Sequence, residues 1–330
     1  MTAGPELRLT FAEELDGSIR ELISSLLRDW AIPGTETAKV TKLAGGASNI
    51  NVRIDGEAES WALRLCMPDA ERWGVDRAAA IQAMVNSSEI GVCPRLVAHK
   101  LPEGHYLSEF AVSQMLTKDM LRSQDLIPKV AETLRLLHTA PITGHDFSPF
   151  EDMRTFLELG AAEGAAQPAG LDANLARAVR VEALFKNRRA PRAFCHSDHV
   201  PQNWLWVDDA FKLVDWDYAG NGWIAFELAS FACQAELTAA ETDYLLTSYD
   251  PDVDHGGRAR VELMRFIAGV REATWAVMAE PILGGHTKPA AGWTYQGYAA
   301  TNLAQAEAVV AHGFDELMSA ARHVREGALI

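Results

Sequence analysis

Between Phe11 and Trp30 the apolar residues Leu15, Ile19, Leu22, Ile23 and Leu26 recur at helical spacing. They predict an amphipathic helix that Pro33 and Gly34 bring to an end. The pattern then shortens to strand-like runs: Val40 and Leu43, Val52 and Ile54, and Ala62, Leu63 and Leu65. Gly45-Gly46 interrupts the first two runs and Asp55-Gly56 marks a hairpin turn, so three antiparallel strands are expected. Helical character returns from Asp76 to Ile90 and stops at Gly91, with Pro94 just beyond. Two further strands, Arg95–His99 and His105–Phe110, flank a turn holding Pro102 and Gly104. From there helices dominate through about Val324, as in Ile127–His138 with Val130, Leu134 and Leu137 on one face. One late hairpin stands out, Trp204–Val207 with Phe211–Val214, turning at Asp208-Asp209. Residues 161–170 read as an exposed loop between helices. The expectation is an α+β chain with a β-rich part at 1–110 and a helical part at 111–330.

Composition narrows the function. The net charge of −15 leaves no basic footprint for DNA or RNA and favours a cationic small-molecule partner. The four cysteines, Cys66, Cys93, Cys195 and Cys233, form no C-x-x-C pair, so neither a disulfide framework nor a zinc site is expected. The N-terminal segment lacks a basic start followed by an apolar core. No run is long and apolar enough for a membrane span, and a cytoplasmic protein is expected. Oligomeric state has no signature in the sequence.

The chemistry concentrates in residues 193–220, AFCHSDHVPQNWLWVDDAFKLVDWDYAG. Asp198 lies five residues before Asn203, and Asp215 follows at the end of the late hairpin, which folds it back toward Asn203. Phosphoryl transfer uses such a set: one carboxylate to take the proton of an attacking hydroxyl, and hard oxygen ligands for Mg²⁺. Taken singly, Asp198 and Asp215 would pass for ordinary turn acids; their order and spacing set them apart.

His196-Ser197-Asp198 with Asn203, then Leu213-Val214-Asp215-Trp216-Asp217-Tyr218-Ala219-Gly220 and Phe226-Glu227-Leu228-Ala229, resemble the aminoglycoside phosphotransferase and choline kinase superfamily. The resemblance implies a protein-kinase-like two-lobed fold, and ATP and Mg²⁺ as cofactors. It implies Asp198 as catalytic base, His196 as a brace of its loop, and Asn203 and Asp215 as metal ligands. On the nucleotide side it points to Gly45, Gly46, Ala47, Ser48 and Asn49 as a phosphate-covering loop and to Arg64 as a phosphate clamp. Glu109 and Phe110 fall on the strand whose backbone contacts adenine in this superfamily. One feature departs from the pattern: the helix after Arg64 has Ala78 where a glutamate is usual, so either Asp76 or Glu71 substitutes or the pair is absent.

For the acceptor, the helix around Trp275 and the segment around Tyr298 resemble those lining the choline kinase pocket, where aromatic faces attract methylated ammonium. Asp198, Asp217, Gln234, Trp275 and Tyr298 are the acceptor-side candidates. Trp223, Trp293 and Tyr295 stand behind them. Met278 replaces a second tryptophan, Gln234 stands where a carboxylate is expected, and Glu236 would point elsewhere. A choline- or ethanolamine-kinase-like enzyme with a small cationic alcohol as acceptor is the leading reading. An aminoglycoside or other sugar-alcohol phosphotransferase and a nucleotide-binding pseudokinase are the alternatives.

Overall fold

The computed structural model describes residues 7–43, 49–114, 116–187, 190–284 and 292–330. A six-stranded sheet is built from β1 (Arg8–Phe11), β2 (Thr37–Lys42), β3 (Ile50–Asp55), β4 (Ser60–Leu65), β5 (Leu96–Lys100) and β6 (His105–Glu109), in the order β1-β2-β3-β4-β6-β5. The three central strands pair antiparallel, as their alternation predicts. The helix expected from Phe11 begins only at Gly17, as α1 (Gly17–Trp30). Arg8–Phe11 instead pairs in parallel with β2, and Asp16 caps the helix by accepting the Ile19 amide at 3.0 Å. Ile23, Leu26 and Leu27 of α1 bury against Val40, Val52, Ile54 and Leu63 of the sheet, forming one core.

α2 (Arg77–Glu89) crosses to a second, larger core: its Ile81 and Met84 join the helical region. That region comprises α3 (Lys118–Leu121), α4 (Ile127–Leu137), α5 (Pro149–Ala162), α6 (Leu171–Asn187), α7 (Ile224–Gln234), α8 (Ala239–Tyr249), α9 (His255–Leu283), α10 (Tyr295–Ala311) and α11 (Phe314–Ala320). α9 is its spine, with α5, α7, α10 and α11 packed around it. The loop expected at 161–170 lies between α5 and α6.

Two strands escape the sequence pattern. β7 (Arg192–Cys195) pairs antiparallel with β10 (Gly220–Trp223), while β8 (Trp204–Val207) and β9 (Ala210–Leu213) form the expected hairpin between them. Phe194 and Cys195 are buried on both faces, so β7 shows no alternation to read. All four cysteines are buried and unpaired. Among the described residues no helix is long and apolar enough to cross a membrane.

Candidate active site

Cys195 sits opposite Gly220 in the β7–β10 pair, so residues 196–219 leave and re-enter the sheet at one point. Glu227, in the first turn of α7, fixes the start of this excursion. It is fully buried, and its two oxygens accept the amides of His196 at 2.7 Å and Ser197 at 2.9 Å. Burial works against its charge, yet His199 at 3.1 Å and the neighbouring histidines hold its carboxyl down at about 2. His196 is buried too: Nδ1 accepts the Asp198 amide at 3.3 Å, which leaves Nε2 to donate to the Val214 carbonyl at 2.9 Å. Burial first, and His199 second, push this imidazole down to about 4, so it stays neutral.

The loop closes on itself at Asn203. Its Nδ2 donates to the Asp198 carbonyl at 3.0 Å, and its own carbonyl accepts the Val214 amide at 3.0 Å, one residue before Asp215. Ser197 and Asp215 both stand at φ 68, a left-handed backbone that costs a residue with a Cβ about 1–3 kcal/mol and tends to mark working sites. Burial, the charge of Glu272 and the charge of Asp215 together push the half-buried Asp198 carboxyl up to about 7.

Arg64 of β4 is nearly buried and grips both acids after the hairpin, Asp215 at 2.7 Å and Asp217 at 2.8 Å through Nη2. The helix glutamate missing at Ala78 is replaced in this role by the acids themselves. Asp76 is spent on capping α2 through the Ala79 amide. Arg77, opening α2, binds the other Asp217 oxygen at 2.9 Å and the Met67 carbonyl at 3.2 Å. Asn49 completes the lattice, donating to Asp217 at 3.4 Å and accepting the Met67 amide at 2.9 Å. Asp217 is thereby held below the usual carboxylate range in spite of its burial, by Arg64 and Arg77. Asp215 is pushed up, by burial and then by Asp217, against the pull of Arg64. Arg64 Nε is buried and has no hydrogen-bond partner.

Gly45, Gly46, Ala47 and Ser48 lie outside the described residues. The amides of Glu109 and Phe110 are already committed, to the carbonyls of Arg95 and Ser60, and the Glu109 carboxylate pairs with Arg95. Both N–H groups are thus engaged within the fold.

On the other side of Asp198, Tyr298 donates to Glu272 at 2.6 Å and accepts from Gln234 Nε2 at 3.1 Å. Its ring meets Trp275 edge-on at 5.9 Å and Trp293 at 5.8 Å, and Tyr295 lies 6.0 Å from Trp275. Of the reserve candidates, Trp293 and Tyr295 thus join this corner. Trp223 does not, being buried between Phe150 and Phe185. Met278 is core, and Glu236 turns away to Lys118.

Glu272, Arg271 and Asp152 were not singled out from the sequence. Glu272 lies three positions before Trp275, hence on the same face of α9. Arg271 is buried between Asp152 at 2.7 Å and Glu272 at 2.8 Å, with its guanidinium 4.4 Å from the Tyr218 ring centre. Asp198 is close enough for its charge to act on Arg271, Tyr218 and Tyr298. The i, i+3 spacing of Glu272 and Trp275 was the available signal.

The sequence model of the phosphotransferase enzyme family matches residues 39–282, and the chain belongs to that family. It is similar to the protein LicA of Haemophilus influenzae, 27% identical over 212 residues that cover 62% of this chain and 61% of that protein. The chain therefore spans less than two thirds of that relative. Its fold is shared with a choline/ethanolamine kinase family protein from Mesorhizobium loti, with TM-score 0.75 and 18% identity over 92% of this chain and 98% of that one. It is shared also with choline kinase LicA from Streptococcus pneumoniae, with TM-score 0.71 and 17% identity over 90% of this chain and all (100%) of the other. The fold is accordingly the mixed α+β fold of these kinases.

Proposed function

We propose that this chain is an ATP-dependent small-molecule kinase that moves the γ-phosphate of ATP to the hydroxyl of a small cationic alcohol, in the manner of choline or ethanolamine kinases. The observation that supports it most is the single knot joining Asp198, Asn203 and Asp215 through the Asn203 amide and the Val214 amide. Asp198 takes the hydroxyl proton. A carboxyl that titrates near neutral is suited to that exchange. His196 and Glu227 hold the loop in register. The substrate sits between the β-rich part, residues 1–110, and the helical part, residues 111–330.

The residues also suit a divalent cation. The donors are hard oxygens, and Asp198, Asp215 and Asp217 outnumber Arg64 and Arg77 by one charge. Burial is the main cause of the upward push on Asp198 and Asp215, and neighbouring carboxylates add to it. Asn203 and Asp215 would hold Mg²⁺, which would supply positive charge to offset that of the nucleotide phosphates. Arg64, with one donor to spare, binds a phosphate oxygen. Asn49 is the described residue of the segment that covers the phosphates on this reading. Gln234, Trp275 and Tyr298 face the acceptor, with Asp217 positioning the basic pair. The acidic chain works in the cytoplasm without nucleic-acid partners.

The test is ADP release from Mg·ATP with choline, ethanolamine and aminoglycosides as acceptors, with the phosphorylated product identified by mass. An amine alcohol alone should respond. A response to aminoglycosides alone would move the acceptor class, and tight ATP binding with no product would leave a pseudokinase. Asp215→Asn is expected to raise the Mg²⁺ concentration for half-maximal activity by about tenfold or more; an unchanged requirement would remove Asp215 from the metal set.

A further inference from the structure

Where a glutamate is usual, α2 has Ala78, and the residue before it is a buried cation. Arg77 is 5% exposed, and its guanidinium reaches Asp217 rather than water. A row of alternating charge results, Arg77, Asp217, Arg64, Asp215, which links α2 to β4 through the acids after β9. Both Asp217 oxygens are engaged. Oδ1 accepts Arg77 Nη1 at 2.9 Å, and Oδ2 accepts Arg64 Nη2 at 2.8 Å and Asn49 Nδ2 at 3.4 Å.

The stem of Arg77 is set by the β5–β6 turn. Gly104 stands at φ 79 with its backbone against that stem, and a Cβ there would lie 2.5 Å from Arg77 Cδ and 2.9 Å from Cγ. The turn is tied to the end of β4: Cys66 Sγ donates to the Gly104 carbonyl at 3.1 Å, and the Cys66 amide donates to His105 Nδ1 at 3.0 Å. At the head of the side chain, Nη2 donates to the Met67 carbonyl at 3.2 Å. On the reading proposed above, we infer that Arg77 is a positioning residue of the nucleotide side: it holds Asp217 so that Arg64 is free to turn to a phosphate.

The reason is a competition for Arg64. Its Nη2 bridges Asp215 and Asp217, and a phosphate oxygen must be served by the same guanidinium. Asp215 has a metal to serve in that reading. Asp217 has Arg77, a second and permanent counter-charge. Without Arg77, Asp217 is a buried carboxylate with Arg64 as its one close cation, and breaking such a pair is costly. Arg64 then stays on the acids and the phosphate loses its clamp. Arg77 thus touches no substrate and acts through Asp217. A lysine keeps the charge but lacks the planar fork that serves Asp217 and the Met67 carbonyl together.

The experiment measures Mg·ATP affinity of the full chain by calorimetry, beside the KM values for ATP and choline. Arg77→Met should weaken Mg·ATP binding and raise the KM for ATP by about tenfold, with the choline KM within about twofold of the parent. Arg77→Lys should restore the affinity to within about threefold of the parent. In an Asp217→Asn background, Arg77→Met should cost less than about twofold, because the anion it holds is gone. Gly104→Ala keeps every charge but displaces the stem, and should weaken Mg·ATP binding in the same Asp217-dependent way. It carries the test where Arg77→Met fails to melt cooperatively. Unchanged Mg·ATP affinity in Arg77→Met overturns the inference. So does a tenfold loss that persists in the Asp217→Asn background, which would mark a direct pull of Arg77 on the phosphates. In both cases phosphorylated product leaves the kinase reading standing. The expected coupling in Mg·ATP binding without any phosphorylated product upholds the inference and fails the kinase reading.

Discussion

Asp198→Asn is expected to fold normally and to lose phosphoryl transfer by about 10²–10⁴-fold, the usual contribution of a positioned general base. The contacts that hold residue 198 are made by its backbone, with its amide on His196 and its carbonyl on Asn203, so the amide side chain leaves the loop in place. Binding of ATP should persist. The same substitution should raise stability, increasingly so at high pH. The carboxyl is pushed up from its usual 3.8 to about 7, so the folded state binds the proton that the unfolded chain releases between those values. Stability from this group is therefore lost as pH rises through that window, and the asparagine removes the loss. Discounted for the remaining solvent contact of the side chain, the gain of the variant over the parent should grow by about 1–2 kcal/mol between about pH 5 and pH 8. Thermal melts at the two pH values, paired with single-turnover assays, check both parts. Turnover within a few-fold of the parent would deny Asp198 its role, and a pH-independent difference in melting would deny the electrostatic account of the site.

The parts of this site that sequence could show are those that are local. Asp198, Asn203 and Asp215 lie within one stretch, and the hairpin that returns Asp215 to Asn203 announces itself through Asp208-Asp209. The sheet order of the central strands was legible from alternation and turn residues for the same reason. What sequence did not show is made by partners far apart in the chain. Arg77 opens α2 as an ordinary first-turn residue, and only the fold carries it to Asp217, 140 positions on. At Ala78, where a glutamate is usual, sequence offered only Asp76, Glu71 or no partner for Arg64. In three dimensions Arg64 is held from the opposite direction, by acids 151 and 153 positions away. β1 is absent from the sequence reading, which starts its first helix at Phe11: the run of Leu9 and Phe11 is too short to mark a period, and only its parallel pairing with β2 reveals it. Glu272 was passed over because its neighbour Trp275 carried the family likeness; the hydroxyl that reveals it, on Tyr298, comes from another helix.

Glu227→Ala should be the most damaging single change to the fold around the site. The carboxylate is the acceptor of two buried backbone amides and lies 3.1 Å from a buried imidazole, so its removal leaves two amides without their acceptor and the His199 ring without its neighbouring carboxylate in a region closed to water. Breaking a buried pair in this way costs about 3–5 kcal/mol, against a total stability of roughly 5–15 kcal/mol. Glu227→Gln should be destabilised as well, because its NH₂ group turns a donor toward an amide that needs an acceptor. The pH dependence separates this cause from simple loss of packing. The folded carboxyl sits at about 2, below its usual 4.5, so its contribution is complete above 4.5 and is lost as pH falls toward 2. That contribution is worth roughly 3 kcal/mol. Parent and variant stabilities should therefore converge as the solution is acidified through that window, while a packing defect would keep them a constant distance apart. Turnover should fall along with stability. With the His196 and Ser197 amides released, Asp198 loses the register that the strained backbone at Ser197 needs, and kcat should drop more than the KM for ATP. A Glu227→Ala protein that melts with the parent at neutral pH would show that the loop is held by its own hydrogen bonds alone, through His196, Asn203 and Val214.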